Sequence, residues 1–439
     1  MSNRMWLMGL CVTVLCSQGL YAQPSSGWLM GIEEMFRLAD ANSKSIQTYN
    51  IGKEAADEAL KAAKAQRLPD VNASLSFSYL GDGHLWDRDF GNGMNISMPH
   101  YGNNFALEAQ QVVYAGGAIS SGIALAELGQ QMAELDVRKN RQEIRFLLTG
   151  YYLNLYKLNN QMQVLKKNLD LTGQVIRNME ARRGEGTALK NDITRYELQR
   201  ENLKLQLAQV QDARKIMNHQ LVVTLHLPAD TEIVPDTTLL DAEVKALAEQ
   251  DWQQMAMQEN LGLKQAELAV RMGEQKVRLE RSERLPKIAV MAAEHLDGPI
   301  TIEVPVLDNN FNYWYVGVGV KYNFSALFKN NKKLKQARLN VRRAREEHEL
   351  AQEQVESAVQ AGYVNFLTSF TDLRTQEKSV ELADENYDVT GNRYKNGLAL
   401  LTDMLDASNT KLSADLGLVN ARINVIYHYY KMKYLTHSL

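Results

Sequence analysis

Two stretches of this chain, about 118–180 and 328–391, space their apolar residues as helices packed side by side do. Leu334, Ala337, Val341, Ala344, His348, Ala351, Val355 and Ala358 step alternately by three and four residues. Ile123, Ala126, Gln130, Ala133, Val137, Asn140, Ile144 and Leu147 repeat the pattern. Heptads sustained this far predict a left-handed supercoil along a shared seam. At about 1.5 Å per residue each helix would be roughly 95 Å long, far beyond an ordinary globular helix. A second stripe, Leu125, Leu128, Met132 and Leu135, runs beside the first. Two stripes ask for neighbours on both sides, as in a wall or tube; a plain two-stranded coiled coil accounts for only one.

The long helices belong to a unit present twice. Arg67-Leu68-Pro69 returns as Arg284-Leu285-Pro286, Gly150-Tyr151 as Gly362-Tyr363, and Gly186 followed by Asp192 as Gly397 followed by Asp403. The offsets are 217, 212 and 211 residues, in the same order along the chain. Each unit reads as a helix (about 29–66 and 250–283) ended by the Arg-Leu-Pro, where proline disfavours helix in the preceding residue. Two strands, the long helix, a glycine turn and a medium helix follow. The expected organisation is a first repeat over 23–225, a linker over 226–249 and a second repeat over 250–439. Strands are expected at 71–80 and 105–114 in the first repeat and at 287–295 and 312–324 in the second, with hairpin turns near 184–191 and 395–402.

In the strand segments, Val71, Ala73, Leu75, Phe77 and Tyr79 alternate with Asn72, Ser74, Ser76 and Ser78, and Phe105, Leu107 and Ala109 alternate with Ala106, Glu108 and Gln110. Trp314, Val316, Val318, Val320 and Tyr322 share one face, with Gly317, Gly319 and Lys321 opposite. Nine alternating residues match a tilted membrane-spanning strand, and aromatic ends around an apolar band match interfacial girdles. A soluble sheet with one wet face gives the same alternation. Four strands cannot close a membrane barrel, for which eight is about the minimum. The choice is therefore between a soluble sheet and a barrel built by several chains.

The N-terminus places Arg4 before a short apolar run (residues 5–16) and small or polar residues to Gln23, which reads as a secretory signal peptide over 1–22. Both cysteines, Cys11 and Cys16, fall inside it, leaving no thiol or zinc–thiolate chemistry for the remainder. With 49 basic and 52 acidic residues evenly mixed, no basic stripe argues for nucleic acid. An enzyme is not expected, because the chain holds no nucleophile elbow, phosphate loop or HExxH pair. No cofactor or metal is expected either. His219 and His226 lie seven residues apart, too far for joint ligation without other partners, and His84 and His100 share one Gly/Asn-rich loop.

The ordered set closely resembles the TolC-like outer-membrane efflux family. It comprises the leader, an opening helix from Gly31 to Ser43, the Arg-Leu-Pro before a strand, the Val-Tyr-Ala-Gly-Gly passage at 113–117 and the duplicated Gly-x5-Asp turns. The resemblance implies a mainly α chain with a small β part, a homotrimer giving a twelve-stranded outer-membrane β-barrel on a periplasmic α-helical barrel. It implies an exit duct of a tripartite efflux or type I secretion system, partnered by a periplasmic adaptor, an inner-membrane pump and outer-membrane lipid. In such proteins the hairpin tips form the channel entrance. Carried over, Asp192, Tyr394, Asp403 and Asp406 line or gate it, and Gly184, Gly186, Gly397 and Leu398 form the tip turns and adaptor contact. Ala399 stands where some members place a locking arginine; Arg182, Arg183 and Arg393 are the cations at hand to replace it. A soluble periplasmic adaptor or scaffold is the alternative, but adaptors usually carry one long hairpin within a β-rich body, and this chain has two.

Overall fold

The computed structural model describes residues 27–236, 247–303 and 306–439. The leader expected over 1–22 and residues 237–246 of the expected linker lie outside the described residues. Chain order begins with β1 (Trp28–Met30), α1 (Ile32–Asn42), α2 (Lys44–Ala65), β2 (Asp70–Tyr79), β3 (Gly83–Leu85), β4 (Met94–Ile96) and β5 (Tyr101–Tyr114). Next come α3 (Ala118–Gly184), α4 (Lys190–Leu225), β6 (Ile233–Pro235), α5 (Glu249–Glu259) and α6 (Leu261–Ser282). The last elements are β7 (Lys287–Gly298), β8 (Phe311–Lys321), α7 (Ser325–Lys395) and α8 (Leu401–Leu435). The long helices α3 and α7 hold 67 and 71 residues, each about 100 Å of helix.

The duplication extends to a break not expected from the sequence. The segments read as single helices over 29–66 and 250–283 are each divided into helices of 11 and 22 residues. The breaks fall at Ser43 and Asn260, both extended and both donating their amide four residues back, to Ala39 and Ala256. Ser and Asn compete with helical backbone bonding and favour caps. Asn260 shows how: its side chain accepts from the Leu263 amide and donates to the Leu435 carbonyl, both at 3.2 Å.

The heptads also contain a shift. Leu147 is 41% exposed and Ala358 is exposed, whereas Leu148 and Val359 are fully buried. The inward positions are therefore Val137, Asn140, Ile144 and Leu148 in one copy and His348, Ala351, Val355 and Val359 in the other. Both step by three, four and four. Such an insertion locally unwinds a left-handed supercoil, and here it recurs at the same point of both repeats.

The helices form a slab. In the half bearing the turns, α4 packs on α3, α3 on α8 and α8 on α7; in the half nearer the sheet, the order is α2, α3, α6, α7. The core is a string of separate clusters along this slab. The largest gathers Met35, Phe36, Leu148, Tyr152, Leu221 and Ile426. Across it a parallel ribbon pairs β1 with β6. Tyr152 ties the ribbon down, donating its hydroxyl to the Met30 carbonyl at 2.8 Å and accepting the Asp236 amide at 2.9 Å.

At the other end lies one antiparallel sheet of order β2-β5-β7-β8. Its edges, β2 and β8, are unpaired among the described residues. The register puts Val71, Leu75 and Phe77 of β2 on one face with Phe105 and Leu107 of β5, Val290 of β7, and Trp314, Val316, Val318 and Val320 of β8. All of these are exposed. Glu294 interrupts this face between Leu107 and Trp314 and accepts from Asn312 at 3.3 Å. Chain direction joins sheet to slab edge by edge: β2 follows α2, and β8 leads into α7.

Candidate functional site at the helical tips

Both hairpins turn by the same device. Gly186 and Gly397 adopt φ of 76° and 72°, a left-handed conformation that penalises a Cβ. Nothing lies within 4 Å of a Cβ built at either glycine, so backbone conformation rather than crowding calls for glycine. The residue after each closes the helix end: the Thr187 amide reaches the Arg182 carbonyl at 2.9 Å, and the Leu398 amide reaches the Arg393 carbonyl at 2.8 Å. This is the Schellman pattern. Gly184 is the last residue of α3 and lies outside the left-handed turn; its counterpart in copy two is Lys395.

The outgoing helices start alike. Leu189 and Leu400 occupy the cap positions, with Asp192 and Asp403 in the first turn. Leucine has no side-chain oxygen to cap with. At α8 the Asp403 carboxylate supplies one, accepting the Leu400 amide at 2.9 Å, and it also complements the helix's positive end. Asp403 and Asp406 are exposed, as are Leu398 and the cap leucines, whereas Asp192 is half-buried.

Between the hairpins the structure assembles a contact from residues far apart in sequence. Arg182, in the last turn of α3, sets its guanidinium 5.8 Å from the centroid of the Tyr394 ring on α7. Burial pushes the Tyr394 phenol up; the Arg182 charge opposes this and the Asp192 charge reinforces it. Arg182 and Tyr394 therefore meet with the Asp192 charge in their vicinity, while Asp403 and Asp406 face solvent from α8. Tyr394 packs on a cluster of Ile176, Met179, Ile193, Tyr196, Leu401 and Met404. A cleft of about 730 Å³ opens beside it between α3 and α7, lined among others by Val175, Arg182, Tyr387 and Asp388.

Farther from the tips is a group that sequence reading missed. Lys411 of α8 pairs with Asp384 of α7 and lies 5.5 Å from the Tyr387 ring. Asp415 sits beside them, its carboxyl raised by burial despite the opposing Lys411 charge. Tyr387, one heptad before Tyr394 on the buried stripe, was the available signal: an aromatic at a seam position near a turn. Of the histidines, His84 bonds Asn95, His100 bonds the Leu80 carbonyl, and His226 forms the left-handed end of α4.

Residues 36–225 and 252–427 match the outer membrane efflux protein family. The outer membrane efflux protein BepC of Brucella suis is 20% identical over 417 residues, covering 94% of this chain and 85% of that protein. Among solved structures, the outer membrane protein VceC of Vibrio cholerae aligns with a TM-score of 0.78 at 14% identity, over 92% of this chain and 96% of that one. The CmeC outer membrane channel of Campylobacter jejuni aligns with a TM-score of 0.74 at 15% identity, over 93% and 85%. These structures share the fold: long helical hairpins carrying a small sheet.

Proposed function

This chain belongs to the outer membrane efflux protein family, and from that premise we propose that three copies close into one duct carrying substrates passively out of the cell. The protein is an outer-membrane efflux channel. Its place is the exit end of a tripartite efflux or type I secretion assembly, where an inner-membrane pump supplies the energy and a periplasmic adaptor grips the tips.

The slab's two bare sides carry the argument for closure. One side presents β2, α2 and α4; the other presents β8 and α7. Leu198, Leu205, Ile216 and Val223 lie exposed on α4, and Leu339, Leu350, Val364, Leu382 and Val389 lie exposed on α7. Joining unlike sides of successive copies is a heterologous contact, which forms a ring if the rotation closes. Since β2 runs from the helices and β8 runs toward them, the seam pairs antiparallel strands. Three sheets of four strands give twelve, enough for a membrane barrel. The exposed apolar face would then meet lipid, with the helices extending into the periplasm.

At the tips, Tyr394 and Arg182 would hold the two hairpins of each chain together, with Asp192 alongside. Asp403 and Asp406, repeated by three-fold symmetry, would ring the entrance with carboxylates that favour cations. Gly186, Gly397 and the exposed Leu398 would present the adaptor contact. Purified from membranes, the protein should need detergent and migrate as a trimer that converts to monomer on heating. A detergent-free, soluble monomer would sink this reading and favour a periplasmic scaffold.

A further inference from the structure

The face of the sheet opposite the apolar one is small and polar over most of its extent: Asn72, Ser74, Ser76 and Ser78 on β2, Gly102 and Asn104 on β5, Gly317 and Gly319 on β8. Met291 of β7, which covers Gly317 and Gly319, is one exception; a row of aromatics is the other. On β8, Phe311, Tyr313 and Tyr315 stand in a row on this face beside His295 of β7. The rings are close to parallel. Phe311 and Tyr313 have centroids 5.2 Å apart at 25°, His295 and Tyr313 5.0 Å at 14°, and His295 and Tyr315 6.1 Å at 9°. Asp297 is the register partner of Phe311 and accepts from Asn104. The three β8 rings remain 52%, 36% and 43% exposed.

These aromatics are on the wrong face for a lipid girdle; Trp314 and Val316 of the same strand take that side. Neither do they fill a core, since their outer surfaces remain in solvent. We infer that this ladder is a binding track, inside the barrel, for planar aromatic cations passing outward. Stacked rings offer π-faces to a flat ligand and attract positive charge, and Asp297 adds a carboxylate at one end. Successive rungs are two residues, or about 6.6 Å, apart along the strand, close enough for a ligand to leave one ring as it meets the next.

The inference rests on the barrel reading, which also supplies the space. Across the seam, β8 of one protomer would adjoin β2 of the next, whose side chains on this face are Asn72, Ser74, Ser76 and Ser78. The ladder would then stand beside a trough of small residues in which a flat molecule can lie. Because β8 runs from Phe311 toward α7, the ladder occupies the end of the barrel away from the helices, the last surface a substrate meets.

The test uses the full-length trimer in planar bilayers, with ethidium as the planar aromatic cation and tetrapropylammonium as a non-aromatic one. Ethidium should interrupt the current, and its residence time should fall about tenfold in Y313S/Y315S, the loss expected for two partly exposed cation–ring contacts. The Y313F/Y315F channel should keep wild-type residence, and D297N should shorten it. If the serine variant does not assemble, Y313L/Y315L fills the same volume without a π-face and should show the same loss. Equal ethidium residence in wild type and the leucine variant overturns the inference, as does tetrapropylammonium block that tracks the same substitutions. Absence of a heat-modifiable trimer and of any pore, read before ligand is added, instead brings down the barrel reading and the ladder's role with it.

Discussion

Removing the Arg182 guanidinium tests how the two hairpins are coupled. In R182A the helix end stays intact, because the bonds from Thr187 go to the Arg182 backbone carbonyl. What disappears is the cation 5.8 Å from the Tyr394 ring, a contact that joins a charged group of the first hairpin to an aromatic of the second at their ends. A partly exposed cation–ring pair contributes about 0.5–1 kcal/mol. Three copies released together give about 1.5–3 kcal/mol, or roughly a tenfold to hundredfold shift in the closed-to-open ratio. Single-channel recordings should show R182A open correspondingly longer. R182K, which keeps the charge but loses the planar stack, should fall between. Y394F keeps the ring and should remain near wild type; if instead it opens as far as R182A, the phenol hydroxyl is the coupling group. R182A with wild-type opening statistics refutes the coupling altogether.

Three further outcomes follow from individual sites. Substituting D403N and D406N together should weaken cation selectivity and divalent block while sparing the turn, since asparagine can still accept the Leu400 amide; unchanged reversal potentials would remove these carboxylates from the entrance. Burial holds the His437 imidazole down, from 6.5 to about 4. As pH falls from about 6.5 through 4 the unfolded chain takes up the proton first and stability is lost, by about 1–2 kcal/mol per protomer once partial exposure is allowed for. H437N, tolerated at φ 54°, should flatten that part of the acid-stability curve in thermal melts; an unaltered curve would assign the loss elsewhere. Y152F removes the hydroxyl's bonds under the β1–β6 ribbon but leaves the Asp236 amide on the Met30 carbonyl at 3.1 Å, a cost of about 0.5–1.5 kcal/mol, visible as a lower melting temperature of the trimer. A melting temperature equal to wild type would show that the bond between the Asp236 amide and the Met30 carbonyl holds the ribbon without the hydroxyl.

What the sequence disclosed was whatever depends on short spacing. Period-two alternation placed four strands near their observed positions, and heptads located both long helices. The Gly-x5-Asp spacing picked out Gly186 and Gly397, whose φ values explain the residue type. The shift at Leu148 and Val359 was not legible, because Leu147-Leu148 and Ala358-Val359 each offer two apolar residues and only packing selects one. The helix breaks at Ser43 and Asn260 do carry a local signal, in Asn42-Ser43 and in Asn260 followed by Gly262, but the apolar periodicity on both sides reads straight through it. The β1–β6 ribbon is three residues per strand, too short for a periodic signal. The Arg182–Tyr394 contact depends on the ends of α3 and α7 meeting across α8, which no local pattern specifies.

The same contact explains why the two repeats had to diverge at their tips. With the 211-residue offset of the glycine turns, Tyr394 corresponds to Arg183 and Asp406 to Arg195. An undiverged second copy would present arginine to Arg182 where tyrosine now stands, turning an attraction between adjacent hairpins into repulsion between like charges. Tyrosine at that position accepts the cation on its ring face and packs its body against Leu401 and Met404. The backbone device at each tip, glycine turn and first-turn aspartate, is kept in both copies because it ends and starts helices. Of the two partners in the contact, Arg182 is matched by Arg393 in the second copy, whereas Tyr394 replaces the arginine of its counterpart Arg183, so one replacement makes like neighbours complementary.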